Sequence, residues 1–239
     1  KKLLMIKNIS IIGCGLIGSS ILRAIIKYNI SKKVKVYDIS KDVLLYLEKE
    51  NLNIDITKDI KSAVKDADLI IISAPLSAYE EILQSIKNDL KDGAILTDTG
   101  SAKKKVNKII QNINLKNISW IASHPIAGTE DSGPKAGFAE LFEKRWCIIS
   151  FSEKTEKANV DKVRTFWESI GSKVKMMSFE EHDHILSLTS HLPHAIAYNI
   201  VRTAINDKKK HREEVIQYSA GGLRDFTRIA ASDPVMWRD

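Results

Sequence analysis

Cysteine is scarce in this chain of 239 residues, represented only by Cys14 and Cys147. One lies in a glycine turn and the other in an apolar run, so no disulfide framework is available, which fits a reducing, cytoplasmic setting. Long apolar runs are missing too. No stretch approaches the ~18 continuous apolar residues of a membrane helix, and the apolar part of Lys1 to Lys7 is too short for a signal peptide. Arginine is also rare. The net charge is +7 and the pI about 9.2, yet only eight of the 37 basic residues are Arg. The lysines are scattered, with short runs at Lys103–Lys105 and Lys208–Lys210. A nucleic-acid surface concentrates its charge in a stripe. The excess therefore reads as solvated faces that help attract a small anionic substrate, with neither nucleic acid nor membrane as a partner. Repeats and low-complexity segments are absent. What remains, 44% hydrophobic and 28% charged, is the composition of a globular protein with core enough to need no staples. The start without Met and the end at Met236-Trp-Arg-Asp239 suggest a trimmed chain.

The chain is organised around Ile9-Ser-Ile-Ile-Gly-Cys-Gly-Leu-Ile-Gly18. An apolar strand signal runs into Gly13, Gly15 and Gly18, and helical spacing follows from Leu16 to Tyr28. Gly13 permits the tight turn, Gly15 lets the backbone approach a pyrophosphate, and Gly18 lets helix and strand pack closely. The N–H groups at the helix start, at Leu16 and Ile17, favour the anion. Asp38 stands 20 residues after Gly18, at the end of the next strand signal. A carboxylate there accepts hydrogen bonds from ribose hydroxyls and repels a 2′-phosphate, so the pattern selects NAD over NADP. A plain strand-end Asp capping the next turn is the alternative for Asp38.

Strand and helix signals alternate over the first 150 residues. Strands are expected at Lys33–Tyr37, Ala67–Ser73, Gly93–Thr97 and Ser119–Ser123, with weaker ones at Cys147–Phe151 and Lys173–Met176. Helices are expected at Lys41–Glu50, at Ala78–Leu90, after Asp98-Thr-Gly-Ser101 through Gln111, and at Lys157–Ile170. Such alternation predicts an α/β fold: a Rossmann-type, mostly parallel sheet with its ligand beyond the carboxyl ends of the strands. Gly13, Asp38, Ala74, Ser101 and His124 are all expected just past strand ends. Ser73, Ala74 and Pro75 join the cofactor contacts. After Ser178 only helix signals remain: Glu180–Ile205, broken near Pro193, then Glu213–Tyr218, a break at Gly221-Gly222, and Arg224–Ala231. The expected domains are therefore 1–178, dinucleotide-binding, and 179–239, helical. The second is thin for an independent core and is expected to pack on the first or on a second copy.

A dinucleotide fold names no substrate. Further stretches narrow the choice: Thr97-Asp-Thr-Gly-Ser-Ala-Lys103, Ser123-His-Pro-Ile-Ala-Gly-Thr-Glu-Asp-Ser-Gly133, Ser190-His-Leu-Pro-His194, and Gly221-Gly-Leu-Arg-Asp-Phe-Thr-Arg-Ile-Ala230. With the glycine loop, and in this order, they resemble the prephenate/arogenate dehydrogenase family of tyrosine biosynthesis over essentially the whole chain. No chorismate mutase segment is visible before the loop, and no regulatory domain after the helices.

The resemblance implies NAD-dependent oxidative decarboxylation of prephenate to 4-hydroxyphenylpyruvate by a homodimer. It implies His124 as partner or base at the substrate 4-hydroxyl, where an imidazole's ordinary pKa suits the task. Ser101 becomes its companion, holding the imidazole or contacting the hydroxyl and nicotinamide, although alone it reads as a helix N-cap. Arg228 is matched to a substrate carboxylate, for which a guanidinium fork is suited, and His194 to a second substrate contact. Arg224 and Arg238 are alternatives to Arg228. Glu130, Asp225 and Trp237 match positions at the mouth of the site. His182 reads as a structural residue behind the site. The histidines lack an H-E-x-x-H arrangement, so no metal is expected. The close alternative is arogenate dehydrogenase. More distant ones are a hydroxyacid dehydrogenase or imine reductase, and an NAD sensor without turnover.

Overall fold

Short apolar runs alternating with amphipathic segments cannot bury themselves alone. In the computed structural model they assemble into one eight-stranded sheet. The structure describes residues 6–206, 214 and 217–231. The elements in order are β1 (Asn8–Ile12), α1 (Leu16–Lys27), β2 (Lys33–Tyr37), α2 (Lys41–Lys49), β3 (Asp55–Thr57), α3 (Ile60–Val64), β4 (Leu69–Ile72) and α4 (Tyr79–Ile86). Then come β5 (Ile95–Asp98), α5 (Lys103–Ile113), β6 (Ser119–Pro125), β7 (Trp146–Phe151), α6 (Lys157–Ser169) and β8 (Lys173–Met176). The helical part holds α7 (Phe179–Leu186), a π-helical turn at Ser187–His191, α8 (Leu192–Asn206) and α9 (Gly221–Ala230).

The strand order is β3-β2-β1-β4-β5-β6-β7-β8. The chain runs outward from β1 to β3 and returns to pair β4 with β1. That reversal opens a crevice at the carboxyl ends of β1 and β4, where ligands bind in sheets of this kind. Both faces are covered. Ile9, Ile11, Ile21, Ile25, Leu69 and Ile71 belong to one core, and Ile12, Ile70, Ile72, Tyr79, Leu83 and Leu96 to the other. Full coverage explains why β4 is a continuous apolar run and why β1 is interrupted only by Ser10, itself buried.

Several expectations need correction. β3 and α3 carry too little apolar pattern to stand out in the sequence, and Asp59, which caps α3 through Lys61 and Ser62 N–H, is their clearest local signal. β6 extends to Pro125, so His124 lies within a strand and not past its end. The strand changes partner midway. Its first residues pair in parallel with β5, and Ile121 to Pro125 pair antiparallel with β7, setting His124 opposite Ile148. Gly221 and Gly222 open α9 rather than interrupt the chain. The break near Pro193 takes the form of the π-helical turn that precedes α8, as expected where a residue without an N–H follows a regular helix.

The chain divides into two compact units, residues 1–182 and 183–239, with the division inside α7. In the second, α9 packs against α8. Lys208–Lys210, Trp237 and Arg238 lie outside the described residues. No helix of the described residues is long and apolar enough to cross a membrane.

Candidate functional site

The glycine turn is built by steric necessity. Gly13 has φ +88°, and a Cβ there would sit 2.6 Å from the Ser73 carbonyl oxygen. A Cβ at Gly18 would lie 2.1 Å from the Gly13 oxygen, so α1 can approach β1 only with glycine at this position. Gly15 is different: a Cβ there would meet nothing within 4 Å. Nothing among the described residues requires its side chain to be missing. Space over a bare backbone, at the start of a 12-residue helix with no capping side chain, fits an approaching pyrophosphate. Leu16 and Ile17 form the first turn there, half-buried.

Asp38 follows β2 and ties two turns together. Its Oδ2 accepts the Cys14 N–H at 2.7 Å and its Oδ1 accepts the Ser40 N–H at 2.8 Å. Ser40 in turn caps α2. The turn-capping role is thus present, and each carboxylate oxygen keeps acceptor capacity for a ribose hydroxyl. Cys14 itself points into the core. Burial, reinforced by the Asp38 charge, pushes its thiol up to about 12, so it is a packing residue whose backbone holds Asp38. Ser73 and Ala74, at the end of β4, are half-buried beside Gly13, and Pro75 is exposed. The Ser73 hydroxyl accepts from Thr99 Oγ1 at 3.1 Å, joining the β4 and β5 ends.

Behind the β5 and β6 ends lies a feature given no role from the sequence. Lys103 and Asp98 form an ion pair at 2.6 Å with both side chains fully buried. Asp98 also accepts from Gly100 N–H at 2.9 Å, Tyr79 OH at 3.3 Å and, at its other oxygen, Ser123 N–H at 3.1 Å. Lys103 Nζ donates to the Ser123 carbonyl at 2.6 Å. The β5–β6 ladder ends at Trp120. Beyond it the ion pair satisfies both backbone groups of Ser123, the residue before His124. A buried pair is tolerated only with such additional bonds. Burial and the Asp98 charge raise the Tyr79 pKa well above its ordinary value, so it stays a neutral donor. The available signal was Lys103 at the first position of α5, where a cation is disfavoured by the helix dipole unless an acid such as Asp98 answers it.

Ser101 is half-buried in the turn after β5. It is not the N-cap of α5: that residue is Ala102, with no side-chain cap bond. His124, half-buried, places Nδ1 2.8 Å from Nε2 of His182, which is fully buried on α7. The rings are tilted by 55° with centroids 5.1 Å apart. Glu130 is exposed in the loop after β6. The first unit therefore brings Gly13–Gly18, Asp38, Ser73, Ser101 and His124 to the carboxyl-end side of its strands.

His194 and Arg228 belong to the helical unit. His194 Nδ1 donates to the Ser190 carbonyl at 2.9 Å, leaving Nε2 as its other ring nitrogen. Arg228 is exposed on α9, as are Arg224 and Asp225, and it takes part in none of the ion pairs among the described residues. Burial lowers the His191 pKa, with Asp183 opposing and His194 assisting. Among the described residues no three His, Cys, Asp or Glu side chains converge as metal ligands would.

Comparison with known proteins follows this division. Residues 21–176 match the family model described as prephenate dehydrogenase, nucleotide-binding domain, and residues 178–239 the one described as prephenate dehydrogenase, dimerization domain. A cyclohexadienyl dehydrogenase from Zymomonas mobilis is 43% identical over 98% of this chain and 79% of its own length. A prephenate dehydrogenase from Bacillus subtilis is 33% identical over 97% of this chain, which spans 62% of that protein. The crystal structure of prephenate dehydrogenase from Aquifex aeolicus in complex with hydroxyphenyl propionate and NAD+ superposes with a TM-score of 0.89. It is 34% identical and covers 100% of this chain and 82% of its own.

Proposed function

The chain belongs to the prephenate dehydrogenase family, and on that premise we propose that it is an NAD-dependent prephenate dehydrogenase, converting prephenate to 4-hydroxyphenylpyruvate and CO2. The observation that carries the reading is the joint presence of a cofactor cradle and an anchored imidazole in one unit. Gly15 has open space where a Cβ would stand, Asp38 adjoins it, and His124 is fixed by a named bond at the same side of the sheet. NAD, when bound, supplies the hydride acceptor.

The chain's own residues do the rest. Gly13, Gly15, Leu16, Ile17 and Gly18 take the pyrophosphate, and Asp38 takes the ribose hydroxyls. Ser73, Ala74 and Pro75 bound the cofactor at the β4 end. His124 accepts the proton of the substrate 4-hydroxyl as C4 loses hydride and its C–O bond gains carbonyl character. The ring carboxylate leaves as CO2, its bonding pair enters the ring, and His124 returns the proton to the phenolic oxygen. No proton is gained or lost overall. Aromatisation drives the step, so orientation carries much of the rate. Ser101 holds the hydroxyl and the imidazole in register. Arg228 takes a substrate carboxylate through its guanidinium fork, and His194 a further polar group of the substrate.

The homodimer forms through the helical unit. Support comes from the name of its family model and from Ile185, Leu188, Leu192 and Ile196, exposed at 43%, 57%, 50% and 44% and spaced by three, four and four residues along α7 to α8. Such a stripe is costly to leave in water. Replacing Leu188 with Lys is expected to yield a monomer by light scattering.

The decisive assay is NADH formation with prephenate and arogenate side by side. Turnover of prephenate supports the reading. Turnover of arogenate alone makes the protein an arogenate dehydrogenase. NAD binding with no NADH from either makes it a sensor.

A further inference from the structure

The proposed function leaves one buried imidazole without a task. His182 is fully buried, yet it does not merely fill the core: its Nε2 stands 2.8 Å from Nδ1 of His124. We infer that His182 is a positioning residue that accepts the Nδ1–H of His124, and so holds that ring in the one neutral tautomer whose Nε2 can take a proton.

The start of α7 fixes the place of His182. Ser178 and Glu181 form a reciprocal capping box. The Ser178 hydroxyl accepts the Glu181 N–H at 3.1 Å, and Glu181 Oε2 accepts the Ser178 N–H at 2.9 Å. Bonding to Ser178 holds the Glu181 carboxyl below its ordinary pKa, so the box is closed at neutral pH. His182 follows directly, and its N–H donates to the Ser178 carbonyl at 3.0 Å. Helix start and ring position are therefore set together. His124 is fixed from the other side, in the antiparallel ladder with β7 and next to Ser123, whose peptide is held by Asp98 and Lys103.

Two ring nitrogens at hydrogen-bond distance need one proton between them. Were His182 the donor, His124 Nδ1 would accept, and its Nε2 would carry the ring proton. That tautomer has no free lone pair for the substrate hydroxyl. With His182 as acceptor, His124 keeps its proton on Nδ1 and leaves Nε2 unprotonated. His182 then carries its own proton on Nδ1. When His124 Nε2 takes the hydroxyl proton, the imidazolium keeps the same bond to a neutral acceptor. A carboxylate in that position stabilises imidazolium more strongly, and its loss costs ~10⁴-fold in serine proteases. A neutral imidazole implies a smaller loss.

The inference rests on His124 as the base, and the experiment separates the two. In protein with 15N-labelled histidine, the His124 signals, identified by their loss in His124→Asn, are expected to show Nδ1 protonated and Nε2 not. Turnover by His182→Leu is expected to fall about 10- to 100-fold, no further than the lower end of the ~10²–10⁴-fold of general-base catalysis itself, with KM for NAD unchanged. His182→Gln, whose amide oxygen reaches the place of Nε2, is expected to restore most of it, and the shorter His182→Asn is not. An unprotonated Nδ1 on His124 in the unaltered protein overturns the inference, whichever variants fold. So does normal turnover by a folded His182→Leu while His124→Asn is impaired, which leaves the base assignment standing. Normal turnover by His124→Asn removes both.

Discussion

Residues 6–182 and the helical unit hold their candidate site residues by different means. In the first, bonds from groups distant in sequence recur: Asp38 is bonded by Cys14, the Ser123 backbone by Asp98 and Lys103, and His124 by His182. In the second, the bond found at a candidate residue is local. His194 bonds to Ser190, four residues back on its own chain, and Arg228 is exposed on α9. Long-range bonds in a dry interior are strong and make a site part of the fold. An exposed side chain such as Arg228 keeps rotamer freedom and loses it on meeting a ligand or a second subunit. The chemistry is thus expected to sit in the pre-formed half and substrate capture in the adaptable half.

The largest effect tests the first clause. His124→Asn is expected to lower kcat by ~10²–10⁴-fold with KM for NAD unchanged, measured by steady-state kinetics. A change confined to KM would put His124 with the capture residues and dissolve the contrast.

Next in size is the ion pair. Lys103→Met leaves Asp98 buried without its counter-charge, although Gly100, Tyr79 and Ser123 still donate to it. Breaking one side of a buried pair costs ~3–5 kcal/mol, read from urea unfolding. Asp98→Asn added to Lys103→Met is expected to recover part of the loss. If Lys103→Met is as stable as the parent, the pair does not brace the β6 end, and the anchored half is less anchored than its bonds indicate.

Arg228→Ala is smaller and falls on the other half. A charge-assisted hydrogen bond is worth ~1.5–3 kcal/mol, so KM for prephenate is expected to rise by about 10- to 100-fold with little change in kcat. Because no described carboxylate pairs with Arg228, unfolding is expected at the same denaturant concentration. A loss of stability would show that the helical unit, too, uses its charged side chains as structure.

The legibility of the molecule follows the same divide. The glycine turn, β1, β2, β4 and Asp38 are readable because their signals are local: spacing, apolar runs and a residue at a strand end. Lys103 is not, because its lysine run reads as a solvated face and only the third dimension brings Asp98 and Ser123 around it. His124 is misplaced past a strand end because β6 continues by changing partner, and an antiparallel extension has no mark within β6 itself. Cys14 makes sense only once its side chain is seen in the core and its N–H on Asp38. His182 reads as structural because its partner is 58 residues away, although the capping box that positions it, Ser178-x-x-Glu181, stands in the sequence.

The smallest effect concerns His191, beside Asp183 and His194 in the helical unit. Burial lowers its pKa below the ordinary 6.5. Above that value the ring is neutral in both folded and unfolded chains and contributes nothing to the pH dependence. As pH falls through 6.5, the unfolded chain takes up the proton first, so it binds more protons than the fold and stability declines with falling pH. The decline stops once the folded pKa is passed as well. Asp183 opposes the shift and limits the slope. His191→Gln is expected to flatten the curve of unfolding free energy between pH 7 and 5, relative to the parent measured alongside. An unchanged slope would mean that solvent reaches the ring freely, leaving the described residues of the helical unit with no buried ionisable group comparable to Lys103 or Asp98. A steeper loss than the Lys103→Met variant shows would invert the comparison, making the helices the more tightly built half.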